Sequence, residues 1–372
     1  MNRSKLAIMA TVPMLLLTIT ACSGNNGENR VVIKEPGKTI TIIDNESKTP
    51  PAEDQIVVGN IKKYEKMYIY DWLNEETAIV SKENESLGNM KLEELSDTYP
   101  HSLYQYNLKT DTFTPLLEKE NIYIGGVKLS PDKKHLVYQE YTIGDPSFYV
   151  MNLETLQTVN IPVAMSARWV DNDSVIGASY AGGAYRATTS GEVEVVSEIV
   201  DDFLFLVAQV GNKLYYNTNA SESLKVLDME TKEISELGFD SASNIIPSPD
   251  GTQLLVEHYS EAKGEIVLSG MNGENPKTIA QGAELGGISW SADQRFIAYS
   301  KQDEVNGAMV KGLYVYDVLS DEETRISANL ESSLSTTWNP SGKELTYTVW
   351  NGSSYESSVI EIQAHLATNV TE

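Results

Sequence analysis

From about residue 56 the chain alternates short apolar or β-branched runs with polar turns, and four of the turns share one pattern. Leu129-Ser130-Pro131-Asp132 precedes HLVYQEY, and Ser248-Pro249-Asp250-Gly251 precedes QLLVEHY. Trp290-Ser291-Ala292-Asp293 precedes RFIAYSK, and Trp338-Asn339-Pro340-Ser341-Gly342 precedes ELTYTVW. Two variants of equal length run from Trp72 to Ile79 and from Trp169 to Ile176, and a degenerate seventh runs from Ala208 to Tyr216. The anchors fall at 72, 129, 169, 208, 247, 290 and 338, in steps of 57, 40, 39, 39, 43 and 48 residues. Two further strand-like runs follow each turn, for example Phe148–Leu153 with Gln157–Ile161, Ser223–Met229 with Glu233–Leu237, and Gly312–Val318 with Thr324–Ser327.

A unit of strand, turn, strand, loop, strand, turn, strand, about 40 residues long, suits one propeller blade. The turn residues have physical reasons. Pro presets φ, Asp or Asn bonds its own backbone, and Gly accepts positive φ. The Trp or Leu before the turn ends the innermost strand, where it can pack between blades. After the N-terminal segment, Lys91–Ser96 alone suggests a helical turn, inside an insertion.

The expected fold is all-β, a β-propeller of four-stranded antiparallel blades over 56–363. Those 308 residues give 44 per blade for seven blades and 51 for six, so seven is preferred and six is the alternative. The last unit shows three strands, 334–338, 344–349 and 356–362. Ile56–Asn60 precedes the first inner strand, Met67–Leu73. It is therefore expected to be the outer strand of the last blade, closing the ring and removing an unpaired sheet edge.

The cores SPDKKHLVY, SPDGTQLLV and NPSGKELTY resemble the WD40-like (PD40) repeats of the TolB type, found also in the propeller domains of prolyl-oligopeptidase relatives. The resemblance covers roughly Leu103–Gln363; the units at Trp72, Trp169 and Ala208 lack Ser-Pro-Asp-Gly. It implies a fold. It does not imply a function, because propellers carry many unrelated ones.

The N-terminus reads as an address. Met1–Ala21 has Arg3 and Lys5 before the apolar stretch Leu6–Ile19, as in a secretory signal. Ile19-Thr20-Ala21-Cys22 resembles the lipobox of bacterial lipoproteins. That family implies cleavage after Ala21 and diacylglyceryl attachment to Cys22, with fatty-acyl (palmitate) chains holding the protein to a membrane. Ser23 carries no retention signal, so an inner or an outer membrane is compatible. Residues 22–55 are polar and read as a flexible tether, within which Val31–Ile33 and Thr39–Ile43 can pair around Pro36-Gly37. Residues 364–372 are a C-terminal tail.

Charge narrows the partners. The chain carries 28 basic and 53 acidic residues, net −25; loss of Arg3 and Lys5 takes the cleaved form to −27. Nucleic acid and anionic head groups are repelled. One Cys excludes an internal disulfide, a Cys-based zinc site and a CxxC pair. Twenty Tyr against six Phe suggest half-exposed strands. A monomer is expected.

If the Ser-Pro-Asp-Gly turns lie on one face, the opposite face carries the more variable loops: Glu83–His101, Tyr141–Pro146, Tyr180–Ala184, Ser260–Gly264, Gln302–Lys311 and Asn351–Tyr355. Function on a rigid scaffold tends to sit on such loops. At the loop ends of the second strands stand Glu140, Tyr141, Tyr180, His258, Tyr259, Lys301 and Trp350, a possible ligand rim; the plainer reading is that the aromatics cap blade packing and the charges are solvated.

Catalytic constellations are sparse. No GxSxG elbow is present. His101, His135, His258 and His365 are scattered, and His135 and His258 occupy different repeat positions, so no metal pair is expected. Asp171-Asn172-Asp173 lacks the later Gly and Glu of an EF-hand and reads as a polar turn. No metal or cofactor is expected.

The favoured function is a non-catalytic, lipid-anchored extracytoplasmic propeller that binds a partner protein, peptide or envelope polymer through one face. One alternative is a propeller enzyme of lyase, lactonase or glycosidase type using Glu140, His258, Asp303 or Glu304. Another is an assembly component of an envelope complex.

Overall fold

The computed structural model describes residues 30–35, 38–43, 56–199, 203–218, 221–260, 263–305, 307–328, 330 and 334–364. The signal segment, Cys22, His365 and the tail lie outside them. The chain divides into two units. In the first, Arg30–Glu35 pairs antiparallel with Lys38–Ile43, the hairpin expected around Pro36-Gly37.

In the second unit the described residues form seven four-stranded antiparallel sheets, six of them assembled from strands in chain order. Blade 1 begins with Tyr68–Trp72, blade 2 with Tyr123–Leu129, blade 3 with Arg168–Trp169 and blade 4 with Leu204–Val210. Blades 5, 6 and 7 begin with Ala242–Pro247, Glu284–Trp290 and Leu334–Trp338. First strands contact one another between blades 1 and 2, 4 and 5, 6 and 7, and 7 and 1. The fourth strand of blade 7 is Ile56–Glu65, paired with Tyr355–Ala364, so the ring closes as expected.

The core is distributed. Seven apolar clusters each join two neighbouring blades. Every sheet is therefore covered on both faces, and second strands such as Ser174–Ala178 are buried along their whole length. This corrects the expectation of half-exposed strands. Tyr138, Tyr185, Tyr215, Tyr216 and Tyr299 are fully buried. Their hydroxyls find partners inside: Tyr185 donates to the Ser166 carbonyl at 2.6 Å and Tyr215 to the Met271 carbonyl at 2.8 Å. Tyr in place of Phe lets a buried ring also satisfy a backbone acceptor.

The anchor tryptophans lean toward the preceding blade. Trp72 Nε1 donates to Thr346 Oγ1 of blade 7 at 3.1 Å, and Trp169 Nε1 to the Lys128 carbonyl of blade 2 at 2.9 Å. Trp338 stacks on Phe296 of blade 6 at 5.9 Å. Arg168 reaches past blade 4 to blade 5, donating to the Ile245 carbonyl at 2.8 Å and to Asn244 Oδ1 at 2.9 Å.

The Ser-Pro-Asp turns are built as their chemistry predicts. The Ser130 hydroxyl donates to Asp132 at 2.8 Å and accepts the His135 N–H at 3.0 Å. Ser248 and Ser291 repeat the geometry. The fourth turn position has positive φ in all four: Lys133, Gly251, Gln294 and Gly342.

Two expected loops are mostly strand: in Ser260–Gly264, Ser260 pairs with Lys263 and Gly264 with Tyr259. Gln302–Lys311 continues the strands Phe296–Val305 and Ala308–Asp317, which stay paired out to Val305 and Ala308. The turn residue Gly307 has φ +81°, and the Asp303/Val310 and Glu304/Met309 pairs extend the ladder as a projecting hairpin. Lys301 is consequently within a strand and not at its tip.

Candidate functional site

Strand polarity puts the Ser-Pro-Asp turns and the third-to-fourth-strand turns on one face of the ring. The second-to-third-strand loops and the blade-to-blade connections lie on the other, here called the loop face. On it, blades 7, 1 and 2 meet at a pocket of about 200 Å³. Tyr68 and Tyr123 enter it as the first residues of inner strands. Tyr141 and Trp350 enter as the last residues of second strands, and His101 and Tyr355 as the first residues of third strands. Ser81, Glu83, Thr98, Ser353, Ser354 and Lys66 complete the wall.

The rings hold one another in place. Tyr68 is stacked on Tyr70 at 4.2 Å and meets Tyr355 edge-on at 5.0 Å. Trp350 meets Tyr355 at 5.1 Å, His101 meets Tyr123 at 5.2 Å, and Tyr123 lies 5.7 Å from Tyr141. Such edge-to-face pairs fix ring orientation. Tyr68 donates to Ser335 Oγ at 2.7 Å, the Tyr70 and Ser81 hydroxyls pair at 3.1 Å, and the Thr98 and Tyr123 hydroxyls at 2.5 Å.

Burial sets the electrostatics. It pushes the His101 imidazole down to about 4, so the ring is neutral at pH 7. It pushes the Tyr141 hydroxyl up to about 12 and Tyr68 and Tyr70 above the ordinary tyrosine value. The aromatic walls are therefore uncharged, with Glu83 and Lys66 also lining the pocket. This arrangement can stack a planar or apolar group and hydrogen-bond its edge.

Of the seven predicted rim residues, the pocket collects Tyr141 and Trp350. Glu140 is buried and paired with Lys119 Nζ at 2.5 Å, and accepts from Tyr138 at 3.2 Å. His258 Nε2 lies 3.6 Å from Glu265. Lys301 is held by Glu323 at 2.6 Å and lies over the Tyr314 ring. It lines a separate groove of about 980 Å³ between blades 5 and 6, with Asp303 and Glu304. Tyr180 and Tyr259 are exposed on other blades. A continuous rim thus becomes one pocket, one groove and isolated side chains. His101, Tyr68, Tyr123 and Tyr355 were missed as site residues. They start first or third strands on the loop face, whereas the predicted rim residues stand at the ends of second strands.

Among the described residues no group of three or more His, Cys, Asp and Glu could hold a metal ion. Asp171 is part of a turn, accepting from the Asp173 N–H at 2.9 Å and pairing with Arg186 at 2.6 Å.

No known protein family matches the sequence, and no curated protein does. Solved structures do match. An oligogalacturonate lyase in complex with manganese has a TM-score of 0.60 at 12% identity, over 84% of this chain and 98% of that one. The Cps50 (Swd1) β-propeller domain of Myceliophteria thermophila has a TM-score of 0.57 at 11% identity, over 83% and 100%. TolB from Acinetobacter baumannii also matches, with a TM-score of 0.43 at 12% identity, over 71% and 61%. The first two likenesses bear on the fold alone and agree with the sheets described above: the body of this chain is a seven-bladed β-propeller.

Proposed function

We propose that this protein is a non-catalytic binding propeller, held outside the cytosol by lipid on Cys22, and that it takes its ligand on the loop face. The observation that carries this is the convergence of six aromatic or imidazole rings from three blades on one small pocket of mostly uncharged walls. The ligand class it suits is an apolar or aromatic side chain of a protein or peptide, or a sugar ring of an envelope polymer, stacked against Trp350 and Tyr141. The lipobox supports the anchor, and the acidic body stands off from anionic lipid. In cells of a lipoprotein-processing bacterium, the wild-type chain is expected in the membrane fraction and Cys22→Ser in the soluble fraction. A soluble wild-type chain would end the anchor reading. Panels of envelope peptides and oligosaccharides are expected to yield a ligand whose affinity falls at least tenfold in Tyr141→Ala or Trp350→Ala, with thermal unfolding little changed. Unchanged affinity in both variants would remove the pocket from the reading.

A second reading has one observation in its favour. His101, neutral at pH 7, lies opposite Glu83 across paired strands at the pocket wall, a base candidate of the kind a propeller lyase would use. Turnover of an acidic oligosaccharide, lost in His101→Gln, would establish it. Against it stand the net charge of −25, which repels such a substrate, and a pocket wall whose cationic residue is Lys66 alone.

A further inference from the structure

The exposed large apolar side chains are not spread evenly over this molecule. On the loop face each blade presents at least one. Leu92 stands in the blade 1 insertion, Ile143 in the loop of blade 2 and Tyr180 in that of blade 3. Tyr259, Met309 and Trp350 occupy the corresponding tips of blades 5, 6 and 7. Blade 4 contributes Phe205, 67% exposed although it lies on an innermost strand. A β-bulge between Leu204 and Leu206 leaves Phe205 without a cross-strand partner and turns it outward. On the opposite face the exposed large apolar residues in turns are Leu156 and Leu319; Phe203 precedes the inner strand of blade 4 beside Phe205, and Ile61, Val193, Val195 and Ile234 lie on outermost strands at the perimeter. Exposed apolar groups on one side of a protein offer a partner apolar area that association would remove from water.

Charge decides what covers it. Three lysines of this face are engaged by acids, Lys91 with Glu120, Lys301 with Glu323 and Lys311 with Glu284, while Lys66 and Lys263 form no ion pair among the described residues and are outnumbered by acids. Glu85, Glu93, Glu94 and Asp97 of the blade 1 insertion, and Asp145 beside Tyr180, pair with no base among the described residues. The whole chain is net −25. An anionic membrane and a second copy of this chain are both repelled, and a cationic partner is attracted.

We infer that the loop face docks a partner protein through a segment in which apolar side chains alternate with Lys or Arg. The apolar groups seat on the seven-blade ring and the cations meet the unpaired acids. The inference rests on the reading that the loop face is the binding face, and it extends the contact from one pocket to the whole ring.

The test uses the full chain in detergent micelles and three synthetic peptides: one alternating Leu or Trp with Lys, one with Glu in place of Lys, and one of Lys and Ser with the same charge. The first is expected to bind, with Kd raised at least tenfold in the Tyr180→Ser/Phe205→Ser double variant and unchanged in Leu156→Ser/Leu319→Ser on the opposite face. The other two peptides are expected to bind at least tenfold more weakly than the first. Equal loss in both double variants, or equal binding of the Lys–Ser peptide, overturns the inference. So does a dimer in sedimentation that Phe205→Ser dissociates, or binding of the Cys22→Ser chain to phosphatidylglycerol vesicles. Tyr141→Ala separates the two readings. Peptide binding kept in Tyr141→Ala but lost in the ring variant supports the ring, whatever becomes of the pocket. Binding lost in Tyr141→Ala but kept in the ring variant overturns the ring and leaves the pocket standing.

Discussion

At Gly177 a hydrogen does what no side chain can. A Cβ there would sit 1.8 Å from the Ser166 carbonyl oxygen, an atom already bonded to the Tyr185 hydroxyl. Gly177→Ala is expected to cost on the order of 3 kcal/mol or more and to lower the midpoint of denaturant unfolding accordingly, since backbone cannot yield as a flexible side chain can. The reverse case is Lys133 and Gln294, non-glycine residues at φ +61° and +63°. Lys133→Gly or Gln294→Gly is expected to be neutral or to stabilise by up to about 1 kcal/mol, read as a higher Tm, because the left-handed penalty is relieved. His101 ties stability to pH. Its imidazole protonates near the ordinary 6.5 when unfolded and near about 4 when folded. The unfolded chain thus gains the proton first, and stability present above pH 6.5 is lost as pH falls toward 4. The loss is roughly 3 kcal/mol. His101→Phe is expected to flatten the stability profile in that window. None of the three effects was visible in composition or periodicity, because each depends on what lies beside the residue in space.

The unit of this fold is a pair of turns; the repeat pattern placed both but showed a residue signature for only one of them. Ser-Pro-Asp-Gly between the first two strands was legible because Pro and Gly punctuate it. The third-to-fourth-strand turns carry an equally regular signature: Asn107-Leu108-Lys109-Thr110, Asn152-Leu153-Glu154-Thr155, Asp228-Met229-Glu230-Thr231 and Asp317-Val318-Leu319-Ser320. In each, the first side chain accepts backbone N–H groups two and three residues on, as Asn152 does from Glu154 and Thr155 at 3.0 and 2.9 Å. The N–H of the apolar second residue bonds into the first turn, as from Leu153 to the Lys134 carbonyl at 2.9 Å and from Val318 to the Arg295 carbonyl at 2.8 Å. The two turns of a blade are thereby locked together. Asn152→Ala or Asp228→Ala is expected to lower stability by roughly 1–2 kcal/mol, through lost acceptors for two backbone donors, with faster amide exchange at the affected turn. The motif escaped sequence reading because it has neither Pro nor Gly, and Asn or Asp followed by an apolar residue looks like the end of a strand.

Closure governs the molecule as a whole. Blade 7 takes three strands from the C-terminal end of the described chain and its fourth from Ile56–Glu65. Its cluster with blade 6 includes Ile56, and Val359 joins the cluster with blade 1. Removing residues 56–65 uncovers the edge of Tyr355–Ala364 and part of two blade interfaces. It is expected to abolish the single cooperative thermal transition and to produce aggregation through the free edge. A net charge of −25 also opposes compaction, so Tm is expected to rise with added salt over the first few hundred millimolar.

Blade length, blade number and the closing strand were legible from the chain alone. They follow from local rules: turn residues impose backbone angles, and the spacing between turns counts strands. Which side chains share a site was not. Tyr68, His101, Tyr141, Trp350 and Tyr355 are separated by up to nearly three hundred positions and carry no common spacing. Ring closure alone brings the two ends of the repeat array together, and the pocket forms at that junction of blades 7, 1 and 2.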